Sequence, residues 1–92
     1  AVVQNTVSVA GGTGTGTTLD TNAASRQLVM IENQSTEELT IVLSTGAAPS
    51  ITPGTGFIVY PGSSEWFWIG TGIRVYGRMA TASGNAVVVE LS

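Results

Sequence analysis

From residue 25 to residue 92 turn signals interrupt the chain so often that no long helix fits between them. Six short β-rich runs lie there: RQLVMIEN at 26–33, ELTIVLS at 38–44, GFIVY at 56–60, EWFWIG at 65–70, GIRVYGRMA at 72–80 and NAVVVELS at 85–92. Between them stand QSTE, TGAAPSITPGT, PGSS, TG and TASG, rich in residues that tolerate or impose turn geometry. None of the runs repeats its apolar residues at a helical spacing, and short strands at this spacing are the mark of a sandwich or barrel. Ahead of them, VVQNTVSV at 2–9 places Val3, Val7 and Val9 in one phase, a further strand. The expected fold is all-β: an antiparallel β-sandwich or jelly-roll-like barrel of about seven strands with an N-terminal arm.

Residues 10–18, AGGTGTGTT, hold no large apolar side chain. They read as loop or mobile linker that contributes nothing to a core, which divides the chain into an arm at 1–24 and a sandwich domain at 25–92. VVQNTVSV carries enough valine to add a strand to a neighbouring sheet edge, so the arm is expected to clamp an adjacent subunit.

Alternation assigns the faces. Leu39, Ile41 and Leu43 point one way; Ile73, Val75 and Met79 oppose Arg74, Tyr76 and Arg78. The consecutive apolar residues of RQLVMIEN fit a central strand covered on both faces. In the last run Val87, Val89 and Leu91 are expected to be buried, against Ala86, Val88 and Glu90.

EWFWIG gathers three of the six aromatic residues into consecutive positions. If Phe67 and Ile69 fill the core, Trp66 and Trp68 project about 7 Å apart, two strand steps, and either anchor an interface or stack on sugar rings. In the reverse phase both tryptophans enter the core, as large aromatics usually do.

The chemistry open to the chain is narrow. It has no histidine, cysteine or lysine, which removes imidazole-assisted nucleophiles, thiolates, Schiff bases and the usual zinc ligands. Its glycine run lacks the spacing of a phosphate-binding loop. Glu37 and Glu38 are adjacent and point apart along an extended backbone, so they read as solvated loop charges and not as a glycosidase pair. No calcium-loop motif is present. No enzymatic activity, cofactor or metal is expected.

Three arginines against six carboxylates give a net charge of −3, which disfavours nucleic acid. Arg74 and Arg78 flank Tyr76 on one strand face; a salt bridge or an interface contact suits them better than base stacking. No apolar run approaches the roughly 20 residues of a membrane span, and no membrane association is expected. With charged residues at only 10%, a neutral, hydrogen-bonding surface suits assembly. Asn33-Gln34-Ser35 matches the N-glycosylation sequon, a short pattern that arises often by chance.

Three stretches together carry a resemblance: SRQLVMIENQSTEELTIVLSTG, then the Pro-Gly turn into an aromatic strand in YPGSSEWFW, then ASGNAVVVELS. The chain from about 25 to 92 resembles small β-sandwich structural proteins of tailed bacteriophage virions, those that decorate or cement capsids or form the base of head fibres. Similar arrangements occur in tail-fibre and tail-tip domains. The resemblance implies a non-catalytic homo-oligomer, often a trimer, standing on the capsid surface of the virion with the major capsid protein or another virion protein as partner. The alternative it leaves is a receptor- or carbohydrate-binding module of a fibre or tail tip. The expected interface residues are Val3, Val7, Val9, Trp66, Trp68, Arg74, Tyr76 and Arg78.

Overall fold

The computed structural model describes residues 2–21, 28–70 and 72–91. Among them the chain is all-β and antiparallel, with no helix. Ten strands follow in order: β1 (Val2–Val9), β2 (Gly14–Thr15), β3 (Thr17–Thr18), β4 (Leu28–Asn33), β5 (Leu39–Ser44), β6 (Ser50–Ile51), β7 (Phe57–Val59), β8 (Ser64–Trp68), β9 (Arg74–Met79) and β10 (Gly84–Leu91). One four-stranded sheet has the order β1-β10-β4-β8 and a second β3-β9-β5-β7; β2 and β6 form a short ribbon. All seven expected strands are present, and the three additional ones are two-residue pairings in stretches that read as loop. The expected strand start at Arg26 and the domain boundary between residues 24 and 25 lie outside the described residues.

The two larger sheets enclose one apolar layer. Val9, Val29, Ile31 and Val88 come from the first sheet, and Leu39, Ile41, Val75 and Met79 from the second; all are essentially inaccessible to water. Each side chain buried in this way stabilises the fold by about 1.5–3 kcal/mol. Leu39, Ile41, Val75 and Met79 follow the alternation read from the sequence, and Leu43 and Ile73 are partly buried against the same layer. Two Pro-Gly pairs shape the turns that flank β7. In each, the residue after the glycine donates its N–H to the carbonyl three positions back: Thr55 to Thr52 at 3.1 Å and Ser63 to Tyr60 at 3.0 Å. Gly54 and Gly62 have φ of 92° and 76°, the positive value that a type II turn requires after its proline.

The Gly/Thr stretch differs from its expected role as a mobile linker. Ala10 and Gly12 exchange backbone hydrogen bonds with Met79, Gly16 N–H donates to the Pro49 carbonyl at 2.8 Å, and Leu19 N–H donates to Val75 at 2.9 Å. Its glycines serve close approach. A Cβ on Gly11 would lie 2.5 Å from the backbone of Ala82, and one on Gly16 would lie 2.8 Å from Tyr76 Cβ. The stretch ends in two buried residues, Leu19 and Asp20, so it joins the sandwich instead of separating an arm from it.

β1 runs antiparallel to β10 of its own chain without interruption, from Val2 opposite Leu91 to Val9 opposite Gly84. In the single chain, therefore, the strand expected to clamp a neighbour completes its own sheet.

β10 takes the phase opposite to the expected one. Ala86, Val88 and Glu90 are buried, while Val87, Val89 and Leu91 are half-buried on the outer face. Glu90 tolerates the inward position because its carboxylate accepts hydrogen bonds from Thr21, from the backbone N–H at 3.1 Å and from Oγ1 at 2.5 Å. β4 is central, between β10 and β8, but only one of its faces is fully covered. Val29, Ile31 and Asn33 are buried, and Leu28, Met30 and Glu32 are half-buried.

Candidate assembly interface

Strand register gathers the outer residues of the first sheet into rows, since directly opposed residues share a face about 4.5–5.5 Å apart. One row reads Val2, Leu91, Leu28, Trp68, and the next Gln4, Val89, Met30, Trp66. A third row reads Thr6, Val87, Glu32, Ser64. Seven of the eight residues in the first two rows are apolar. The Pro-Gly turn at 61–62 leads into β8 in the phase that sends Phe67 and Ile69 inward. Trp66 and Trp68 are thereby left 53% and 79% exposed. This overturns the reading that buries both tryptophans in the core. Phe67 fills that place, and Phe57 packs edge-on against it with ring centroids 5.5 Å apart.

Charge is sparse on this face. Among the described residues its one carboxylate, Glu32, stands in the third row and accepts a hydrogen bond from Gln34 Nε2 at 3.0 Å. The two rows are thus mainly apolar and bordered by a mixed row of Thr6, Val87, Glu32 and Ser64, a composition suited to covering by another protein surface.

The other expected interface residues are engaged within the chain. Arg74 Nε pairs with Asp20 Oδ2 at 2.9 Å, and Asp20 Oδ1 accepts the Val75 N–H at 2.9 Å. Tyr76 is buried and its hydroxyl donates to the Gly46 carbonyl at 2.7 Å. Arg78 donates to the carbonyl oxygens of Gly12, Thr15 and Gly11. These three side chains hold the 11–20 segment and the 46 turn against β9, and the Arg74–Asp20 pair is the salt bridge that the sequence offered beside an interface contact. Val9 is a core residue, Val7 packs partly against the core, and Val3 is 40% exposed on the inward side of β1.

Sequence reasoning missed Leu28, Met30, Val87, Val89 and Leu91 as members of the exposed face. The available signal was the lack of alternation in LVMI and AVVV. Apolar residues in both phases require two covers, and the chain supplies one.

Among the described residues no three His, Cys, Asp or Glu side chains stand together in a way that could hold a metal ion. Glu37, expected to be solvated, accepts hydrogen bonds from the Thr81 hydroxyl and from the backbone N–H groups of Ala82 and Thr81, the latter two at 2.8 Å. The Thr81 hydroxyl, then those two amides, lower its pKa below the usual carboxylate value; burial acts weakly the other way. A shallow cleft of about 340 Å³ beside Ile41, Val42, Leu43, Thr55, Gly56 and Phe57 contains no acid or base. The sequon asparagine, Asn33, is fully buried and its amide is hydrogen-bonded through both ends, which leaves no room for a glycan. No family model matches the sequence, and no curated protein matches it.

Proposed function

We propose that this chain is a non-catalytic assembly protein that docks through the outer face of its β1-β10-β4-β8 sheet. In this reading it is a homo-oligomeric structural protein of a tailed-phage virion that decorates or cements the capsid. The observation that carries the docking role is the pair of apolar rows ending in Trp66 and Trp68. At about 150–250 Å² per aromatic side chain, covering the exposed parts of the two tryptophans removes roughly 200–330 Å² from water. That corresponds to about 5–8 kcal/mol at ~25 cal/mol per Å². Association costs about 4–15 kcal/mol, so the tryptophans offset only part of it. Met30, Leu28, Val89 and Leu91 must be covered as well, which calls for a partner as broad as the sheet.

The same requirement separates a protein partner from a glycan. Sugar binding needs hydrogen-bonding groups around the stacking rings, whereas the residues directly opposite Trp66 and Trp68 are Met30 and Leu28. A protein surface is the better fit. The assignment to a virion rests on the resemblance of the strand and turn pattern to that of phage decoration proteins.

Mass measurement of the purified protein, alone and then mixed with capsid shells, tests this reading. An oligomer that co-migrates with the shells is the expected result; a monomer that ignores them overturns it. Virions lacking the protein should lose resistance to heat while adsorbing normally.

A further inference from the structure

A second feature of the first sheet points to a partner of its own: the free edge of β1. Sheet edges are normally protected by charge, proline, a bulge or brevity, because an unprotected edge pairs with any strand that reaches it. The other outer edges of the two four-stranded sheets are short. β8 spans five residues and includes Glu65, β7 three and β3 two. β1 spans eight, VVQNTVSV, with no charge and no proline, and its unbroken register on β10 leaves no bulge.

We propose that two copies of this chain pair their β1 strands antiparallel about a two-fold axis at Asn5, joining their sheets into one of eight strands. Symmetry selects the register. An axis perpendicular to the sheet maps outer face onto outer face, so each residue must oppose one of its own parity. Centring on Asn5 sets Val3 opposite Val7 on the inner side and Gln4 opposite Thr6 on the outer, two matched pairs, with Asn5 against its own copy and Val2 opposite Ser8 at the ends. Centring on Thr6 instead would set Asn5 against Val7 and Val3 against Val9, which is already covered by its own core.

The inner side has room for this. Val3 and Asn5 face the second sheet yet are exposed, so that sheet does not extend beneath the first half of β1. Pairing covers Val3 with the partner's Val7. An edge with no charged side chain also brings two identical strands together without repulsion. Each copy offers one β1 edge, so the assembly closes at two, where the phage resemblance implied three. The contact is independent of the tryptophan face, and it places two such faces side by side on one side of the joined sheet.

Equilibrium sedimentation and single-cysteine cross-linking test the pairing. At about 100 μM, well above a micromolar Kd, the wild-type protein should sediment at twice the chain mass. Asn5→Lys opposes two ammonium groups at the axis and should weaken the dimer at least tenfold, by an order-of-magnitude estimate, while unfolding like the wild type at dilutions where both are monomeric. The chain has no cysteine. Asn5→Cys should therefore form a disulfide-linked dimer under mild oxidation, because directly opposed residues stand about 4.5–5.5 Å apart between Cα atoms. Thr6→Cys, opposite Gln4 of the other copy, should not. A wild-type monomer at that concentration overturns the proposal, as does an Asn5→Lys dimer as tight as the wild type or equal cross-linking by the two cysteine variants. A Trp68→Ala protein that stays dimeric but no longer binds shells leaves the edge contact standing and separates the two surfaces.

Discussion

Arg78 Nε donates to the carbonyl oxygen of Gly12 at 2.8 Å, and the same guanidinium reaches Gly11 and Thr15 through its two other nitrogens. One side chain thus satisfies three backbone acceptors of a segment that has no large apolar residue to hold it down. A planar fork does this and an ammonium cannot, since lysine is a point charge on a flexible stem. Arg78→Lys should cost about 1–3 kcal/mol, by loss of two partly solvated hydrogen bonds at about 0.5–1.5 kcal/mol each. Limited proteolysis should show cleavage between residues 10 and 18 before global unfolding, while tryptophan fluorescence stays native. Resistance equal to the wild type would show that the glycine contacts alone fix the segment.

Asn33 organises the end of the sandwich where three loops meet. Its Nδ2 donates to the Glu37 and Val59 carbonyls at 2.6 and 2.8 Å, and its Oδ1 accepts from Ser35 N–H and Oγ at 2.9 and 2.7 Å. Asn33→Ala leaves the buried Val59 carbonyl without this donor and should destabilise by about 3–5 kcal/mol, at ~1–3 kcal/mol per unsatisfied group. Asn33→Asp keeps the shape but turns an acceptor, a carboxylate oxygen, toward two carbonyl oxygens. It should be at least as damaging at neutral pH and recover partly in acid, where a protonated carboxyl donates once. Urea midpoints at two pH values give both answers.

Local patterns made the strands and their turns legible, and long-range pairs hid the rest. The Pro-Gly turns at 53–54 and 61–62 and the phase of β9 need only neighbouring residues, so they could be read directly. The phase of β10 turns on Glu90, whose carboxylate is received by Thr21, a residue 69 positions away that no local pattern connects to it. The Gly/Thr stretch looks mobile because its stabilisation comes from Arg78 and from backbone approach at Ala82. For the tryptophans, alternation predicted correctly that Trp66 and Trp68 share a face and left open which face is buried. In the structure Phe67 and Ile69 join the core, with Phe67 beside its strand partner Val29 and edge-on to Phe57.

Glu37 links the β4–β5 turn to the β9–β10 turn, and its contribution should depend on pH with a definite sign. Hydrogen bonds from Thr81 and Ala82 favour the ionised form, so the folded pKa lies below the unfolded one. The stabilisation is present in full above the unfolded carboxylate pKa, about 4.3, and is lost as pH falls through the lowered folded value. Glu37→Gln should therefore unfold at lower urea than the wild type at about pH 7, with the gap narrowing as the solution is acidified. A gap that persists in acid would assign the difference to packing instead of charge.

Trp66 and Trp68 differ in how much the fold needs them, which allows function to be separated from stability. Trp68, at 79% exposure, has little of its surface against the protein, and Trp66, at 53%, lies opposite Met30. Trp68→Ala should change stability by less than about 0.5 kcal/mol, as exposed substitutions do. Trp66→Ala should cost about 1 kcal/mol through lost cross-strand packing. On a docked face both become central anchors, and truncating such an anchor costs about 2 kcal/mol or more, a thirtyfold loss of affinity. The measurement is binding of each variant to capsid shells beside its urea midpoint. Native stability with unchanged binding in Trp68→Ala would remove this face from the docking surface, whereas native stability with lost binding would place the tryptophan at its centre.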